Sequence, residues 1–463
     1  MPGGLLTDLY ELNMAASYLR RSMTGPATFS LFVRDLPPGR GFLVAAGLED
    51  CLAFLEDFSF TEQDLGYLRQ ARGYGEDTLR AFAGLRFTGD VWAVPEGRVV
   101  FADEPLLEVT APVAEAQLAE TILLNHVTFQ TAVATKAARC VLAAGGAQLV
   151  DFAFRRTQGI DASLAVARAS AIAGFAATSN VAAARRYGLA AAGTMAHSFI
   201  EAFGDEEQAF AAFAEDFPGM TTFLVDTYDT GGGVRAAIEV TQRLRLPGPV
   251  GVRLDSGDLA ELARLARRLL DDAGLPDARI LASGSLDEYV IAALVAADAP
   301  IDAYGVGTKM GVSADAPYLD SAYKLVAYGG RPVMKLSAGK TSAPGAKQVH
   351  RGPGGDLLAL RDEPSPPGHE PLLLPVMAAG RRLSAPEPLA AAQRRCRADL
   401  ASLPPAARAL RGPQPVPVRI SEQLQSLQDE VTHHLRRRTG ADAGIIKHDV
   451  SDLPAPEPRR GPV

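Results

Sequence analysis

Residues 250–273 read VGVRLDSGDLAELARLARRLLDDA. Its opening, 250–254, is apolar except for Arg253 and has the length of a buried strand. A turn follows at Asp255-Ser-Gly, and Asp258 opens a helix with Glu261 three residues on, an acidic capping box. Leu259, Leu262, Ala263, Ala266, Leu269, Leu270 and Ala273 then fall on one helix face. Strand, loop and amphipathic helix make one βα unit. The unit recurs: strand-like runs lie at 148–154, 189–194, 221–226, 279–283, 303–307 and 323–327, and helices at 163–175, 207–215, 233–244 and 286–297 separate most of them. This alternation predicts a parallel sheet, and the number of units predicts an α/β barrel.

Catalytic groups of a barrel sit at the C-terminal ends of its strands. Those ends carry Arg155 and Arg156; Thr194, His197 and Ser198; Asp226; Arg253 and Asp255; Ser283 and Gly284; and Gly307, Thr308 and Lys309. Residues 190–198, AAAGTMAHS, narrow through small side chains to His197. Ser198 and Glu201 form an S-x-x-E capping box, which predicts a helix from Ser198 with His197 at its positive end. A histidine there is suited to take a phosphoryl group. Small residues at 283–284 and 307–308 predict backbone N–H nests for a phosphate. The arginine pair and Arg253 supply charge for a second anion, and Asp255 a carboxylate for sugar hydroxyls or a magnesium ion. Each piece alone has an ordinary reading as turn chemistry. Together they suggest a phosphorylated sugar with a further anionic group.

The rest of the chain bounds the class. Its 463 residues suffice for two or three domains, and a net charge of −8 with 22% charged residues points away from nucleic acid and acidic membranes. Cys51, Cys140 and Cys396 have no metal or redox spacing and fit a reducing compartment. The N-terminus lacks a basic and then apolar leader pattern, and no run approaches ~20 apolar residues, so the expectation is a cytoplasmic protein. Residues 1–112 read as an α+β unit: a helix at 5–21 with Tyr10 as a packing aromatic, a strand at 27–34, helices at 43–57 and 61–83, and short strands over 87–110. A helical stretch at 113–144, with His126 on its apolar stripe as a core residue, opens the barrel segment 113–338. Residues 339–450 are Gly- and Pro-rich at first. They then carry a basic run, Arg394-Arg-Cys-Arg, read as a solvated helix face, and a helix at 420–438. Residues 451–463 read as a disordered tail.

The segments LLTDLYELNM, AAGLEDC, FAFRRTQG, AGTMAHSF, DTYDT, GVRLDSGDL, SGSLDE, YGVGT, YKLV and PGAKQV occur in this order. In them the chain resembles the nicotinate phosphoribosyltransferase family, from near its start to about residue 351. The resemblance implies an irregular α/β barrel of the type II phosphoribosyltransferase kind, with a second α+β domain built from both chain ends, in a homodimer with shared sites. It implies transfer of phosphoribose from 5-phosphoribosyl-1-pyrophosphate to nicotinate, giving nicotinate mononucleotide and pyrophosphate, with ATP as co-substrate and Mg²⁺ accompanying the phosphates. By the same resemblance His197 is the phosphorylated histidine, oriented by Asp226. Thr194, Arg253, Phe152 and Tyr10 serve nicotinate, with Tyr10 reaching the partner's pocket, which replaces its reading as a packing aromatic. Arg155, Arg156, Asp255, Ser283, Gly284, Gly307 and Thr308 serve phosphoribosyl pyrophosphate. No cysteine cluster matches the zinc knuckle of some relatives, so no structural zinc is expected. The alternatives are a nicotinamide phosphoribosyltransferase and a catalytically silent nucleotide-binding relative. A barrel aldolase or isomerase would need a strand-end lysine, for which Lys309 and Lys324 are the candidates.

Overall fold

In spatial order, seven parallel strands run Ala190–Ala191, Ala177–Thr178, Gln148–Asp151, Ala303–Val306, Arg279–Ala282, Gly251–Leu254 and Thr222–Leu224. They belong to a computed structural model that describes residues 3–219, 221–337 and 342–439. The expected tail, 451–463, lies outside the described residues. Among those residues the two edge strands are not paired with each other, so the barrel is irregular and open, and the segment carrying His197 joins its edges. Val252, Leu254, Ile280, Ala282, Phe223, Leu224 and Val306 are buried, because helices cover the outside of the sheet. Helix Leu259–Asp272 is the model of this packing. Leu259, Ala263, Ala266 and Leu270 are buried, and the Asp258 carboxylate accepts from the N–H groups of Ala260 and Glu261.

The barrel differs from expectation in two strands. Residues 323–327 are not a barrel strand. They lie in Ser321–Tyr328, which pairs antiparallel with Pro26–Val33 in the other large sheet. Its apolar residues run almost continuously, interrupted by Lys324, and such a run does not by itself tell an antiparallel strand from a parallel one. In its place stands Ala177–Thr178, too short and too plain to signal itself.

The antiparallel sheet orders Arg331–Pro332, Ser321–Tyr328, Pro26–Val33, Pro105–Pro112, Asp90–Ala93, Leu374–Ala378 and Arg381–Arg382, so it draws on both chain ends. A four-stranded sheet adds Glu370–Pro371, Lys347–Gly352, Gly355–Leu360 and Val418–Ile420. Helix Glu120–Ala143 bridges the two halves. Its Lys136 and Arg139 are buried against Glu288 at 2.7 and 3.0 Å, and Lys136 also reaches Asp315 at 2.8 Å, which in turn binds Arg40. Burying these charges is tolerable because each is paired. The network fixes the start of helix Glu288–Ala296, and with it the loop that follows strand Arg279–Ala282. The Arg394 run lies on helix Leu389–Ser402 as expected, with Arg394 and Arg397 exposed and Cys396 buried.

Candidate active site

The strand ends converge on Arg253. Its strand buries Val252 and Leu254 on either side, so the guanidinium projects from the opposite face. Nε donates to Ser283 Oγ at 2.8 Å, Nη2 to Asp255 Oδ1 at 2.7 Å, and Nη1 to Thr194 Oγ1 at 3.1 Å and to the Met195 carbonyl at 3.4 Å. Its carbon lies 5.4 Å from the centre of the Phe152 ring, a cation–π distance. With four of its five N–H donors engaged, the guanidinium is fixed and keeps one for a ligand.

Asp255 is shared in the same way. Burial works to raise its carboxyl pKa, but hydrogen bonds from Ser283 and Arg253 and the charge of Arg253 outweigh it and hold the group below the usual carboxylate range. Gly284, next to Ser283, has φ +90°, and a Cβ there would stand 2.0 Å from the Asp255 carbonyl oxygen. Only glycine brings these two loops together. Close approach also explains Gly305, where a Cβ would run 2.4 Å from the Phe152 ring. Gly307 leads into the short helix Thr308–Gly311, and Arg156 Nη1 reaches Thr308 Oγ1 at 3.4 Å. The arginine turn and the second glycine loop are therefore neighbours.

A cavity of about 340 Å³ opens beside Arg253, lined by Phe152, Phe154, Arg155, Thr194 and Ser179 among others. Two arginines and no acidic side chain line it among the described residues. Ser179 follows the strand absent from the sequence reading, so nothing pointed to it.

His197 is half-buried and begins helix His197–Phe203. The expected capping box at Ser198 and Glu201 is not formed. Ala196 is the N-cap, and no side chain caps the helix. Nor does Asp226 hold the imidazole. His197 Nδ1 pairs with Thr227 Oγ1 at 3.1 Å, while Asp226 Oδ2 accepts from the Asp255 N–H at 3.0 Å and from Ser256 Oγ at 2.6 Å. The second oxygen of Asp226 is buried and has no hydrogen-bond partner among the described residues. Thr227 and Ser256 were thus missed, although each adjoins a residue that the strand-end rule did find.

Tyr10 stands apart from this cavity. It is 48% exposed on helix Leu9–Arg20, and burial with the charges of Glu120 and Glu11 raises its phenol pKa. The aldolase lysines are otherwise employed. Lys309 pairs with Asp287 at 2.7 Å, and Lys324 lies in the antiparallel strand Ser321–Tyr328. His126 is half-buried and lines a separate cavity instead of the core. Among the described residues no helix is long and apolar enough to cross a membrane.

Comparison with known proteins agrees with this geometry. Models of the nicotinate phosphoribosyltransferase N-terminal domain, family and C-terminal domain match residues 5–128, 147–343 and 367–428. A nicotinate phosphoribosyltransferase of Mycobacterium tuberculosis is 50% identical over 430 residues, 91% of this chain and 92% of its own. One from Bacillus subtilis is 44% identical over 378 residues, covering 78% and 76%. The crystal structure of human nicotinic acid phosphoribosyltransferase superposes with a TM-score of 0.81 at 29% identity, covering 92% of this chain and 99% of that one. The motifs, the fold and the relatives coincide along nearly the whole length, and the chain belongs to the nicotinate phosphoribosyltransferase family.

Proposed function

We propose that this chain transfers phosphoribose from 5-phosphoribosyl-1-pyrophosphate to nicotinate, forming nicotinate mononucleotide and pyrophosphate in the salvage route to NAD, with ATP hydrolysis coupled through His197. The observation that carries the choice of base is the cavity at Arg253, where two arginines and an aromatic ring meet without a lining carboxylate. A pyridine carboxylate satisfies it. A carboxamide would favour a carboxylate acceptor for its NH₂, and among the described residues none lines this wall.

The chemistry follows from charge. The bond from ribose C1 to pyrophosphate breaks, pyrophosphate leaves with the electron pair, and the pyridine nitrogen attacks C1. No protein nucleophile is required, and positioning and electrostatics do the work. Thr194, Phe152 and the free Arg253 N–H orient the base. Asp255, held ionised, accepts from the ribose hydroxyls. Ser283, Gly284, Gly307 and Thr308 offer the 5-phosphate nest, and Arg155 and Arg156 meet the pyrophosphate or the ring carboxylate. Among the described residues no three His, Cys, Asp or Glu side chains group closely enough to hold a metal. Mg²⁺ therefore fits as an ion carried by the substrate phosphates, which is its habit. Asp226, one of whose oxygens has no hydrogen-bond partner among the described residues, would be the acceptor for the ion's hydration shell, and the ion would supply charge for the departing pyrophosphate.

ATP donates its γ-phosphoryl to the His197 ring, breaking the β–γ bridging P–O bond and forming a P–N bond, with ADP leaving. This adds about −1.5 to −2 charge beside the site. A homodimer completes the reading. Tyr10 with Leu6 and Leu9 forms an exposed apolar end of the first helix, suited to cover a partner's pocket. An active monomer in sedimentation would remove that role of Tyr10.

The deciding assay offers nicotinate and nicotinamide separately, each with phosphoribosyl pyrophosphate and Mg²⁺, with and without ATP. Nicotinate mononucleotide formed mainly with ATP is expected. Preferential turnover of nicotinamide would overturn the choice of base, and turnover of neither would favour a silent relative.

A further inference from the structure

Two loops follow the adjacent parallel strands Arg279–Ala282 and Ala303–Val306. The first, 283–287, begins with Ser283 and Gly284. The second begins with Gly307 and leads into the short helix Thr308–Gly311. To grip one phosphate, the two loops must keep one spacing. The strands below do not set it, because their register ends at Ala282 with Tyr304. Among the described residues a single hydrogen bond joins 283–287 to 307–311. Lys309 Nζ donates to Asp287 Oδ2 at 2.7 Å.

The partners in this bond are not equally free. Asp287 is 8% exposed, and its other oxygen caps helix Glu288–Ala296 by accepting from the N–H groups of Tyr289 at 3.0 Å and Val290 at 2.9 Å. The next residue, Glu288, is buried against Lys136 and Arg139. Asp287 is thus a fixed point of the barrel. Burial works to raise its carboxyl pKa, but the hydrogen bonds from Lys309 and the Val290 N–H, with the charge of Lys309, outweigh it and keep the group ionised. Lys309 stands on a four-residue helix with its side chain 42% exposed, on a flexible stem. An ion pair with so exposed a partner adds little to stability. Its effect is to limit where the second loop can stand, and a loop ordered beforehand costs less to bind with. On the phosphate-nest reading given above, we propose that Asp287 is a positioning residue for phosphoribosyl pyrophosphate. Through Lys309 it holds the Gly307–Thr308 loop at the distance from Ser283 and Gly284 at which the donors of both loops meet one phosphate.

The test combines steady-state kinetics in both substrates with isothermal titration calorimetry of phosphoribosyl pyrophosphate and Mg²⁺. The variants are Lys309→Met, Asp287→Asn, their double and Lys309→Arg. Asp287→Asn keeps the cap through its carbonyl oxygen and turns its NH₂ on the ammonium, so the helix start survives and the link does not. Asp287→Ser, a shorter cap out of reach of Lys309, repeats the test independently. We expect KM and Kd for phosphoribosyl pyrophosphate to rise about tenfold in each single variant at Asp287 or in Lys309→Met, as for one charge-assisted hydrogen bond, and no further in the double. The kcat at saturation, KM for nicotinate and Tm should stay near the wild type, and Lys309→Arg should restore binding. A rise in Lys309→Met with wild-type values in both Asp287 variants overturns the clamp and makes Lys309 a direct phosphate ligand. Additive effects in the double, or equal losses in both substrates, overturn it as well. If the wild type turns over neither base, the proposed function fails, and the Kd values still decide on the clamp.

Discussion

Two ends of one cleft are built differently. At the Arg253 end, one guanidinium makes four hydrogen bonds, Asp255 is held from two sides, and a glycine lets two loops touch. At the His197 end, among the described residues, the ring has a single hydrogen bond, to Thr227, and opens a seven-residue helix without a side-chain cap. A group that must meet the same charge in every turnover gains from being fixed beforehand, since no reorganisation is then needed at the reaction. A group that must gain and lose a phosphoryl group gains from having few bonds to break. Asp226 links the two, with one oxygen tied to the Asp255 loop and the other without a partner among the described residues.

If that contrast is correct, the largest loss follows from the rigid end. Arg253→Ala removes the charge of the base pocket and strips Asp255 and Ser283 of their common partner. We expect kcat/KM for nicotinate to fall about 100-fold or more, as for loss of a buried charge-assisted pair. Because Asp255 is released too, the KM for phosphoribosyl pyrophosphate should rise as well, though less. Steady-state kinetics in both substrates check this, and a purely nicotinate-specific effect would show that the corner is not one unit. His197→Ala should act on coupling alone. ATP stimulation, of the order of tenfold for a typical coupling energy, should vanish while slow ATP-independent transfer persists. Equal stimulation in the variant would end the phosphohistidine assignment. Thr227→Val should be milder, lowering the rate of ATP-dependent phosphorylation about fivefold, the equivalent of ~1 kcal/mol for one hydrogen bond. Thr227→Ser should restore it, read by single-turnover phosphorylation with labelled ATP. No effect of Thr227→Val would move the orienting role elsewhere.

The sequence made the barrel and most of the cleft legible because strand ends are where a barrel puts its chemistry, and a strand of four or more apolar residues announces its end. Arg253, Asp255, Ser283, Gly284 and Thr194 are brought together as that rule requires. What it missed follows from its own logic. Ala177–Thr178 has two residues, so neither the strand nor Ser179 beyond it gave a pattern. Ser321–Tyr328 is apolar enough to read as a strand but has its partner in Pro26–Val33, nearly 300 residues away, and composition does not name a strand's neighbour. The Ser198 capping box failed because the helix takes Ala196 as its cap, two residues earlier, which places Ser198 inside the first turn. Thr227 in place of Asp226 on His197 is a choice between adjacent residues at a strand end, and only the backbone direction there decides it.

The smallest effect probes whether the rigid end is held together by charge and not only by shape. The Asp255 carboxyl lies below its usual range because the bonds and charge supplied by Ser283 and Arg253 outweigh burial. The folded state therefore prefers the ionised form. That preference contributes stability in full above the ordinary carboxylate pKa near ~4, and it is lost as pH falls through the lower folded value. Asp255→Asn cannot titrate, so it should start from a lower Tm near neutrality, with Arg253 short of a partner, yet lose less Tm on acidification. The two curves should begin to approach each other below about pH 4. Thermal unfolding from pH 7 to pH 3 measures this directly. Parallel curves would mean that Arg253 and Asp255 are held by their strands whatever their charge, and the distinction between the two ends of the cleft would then rest on packing alone.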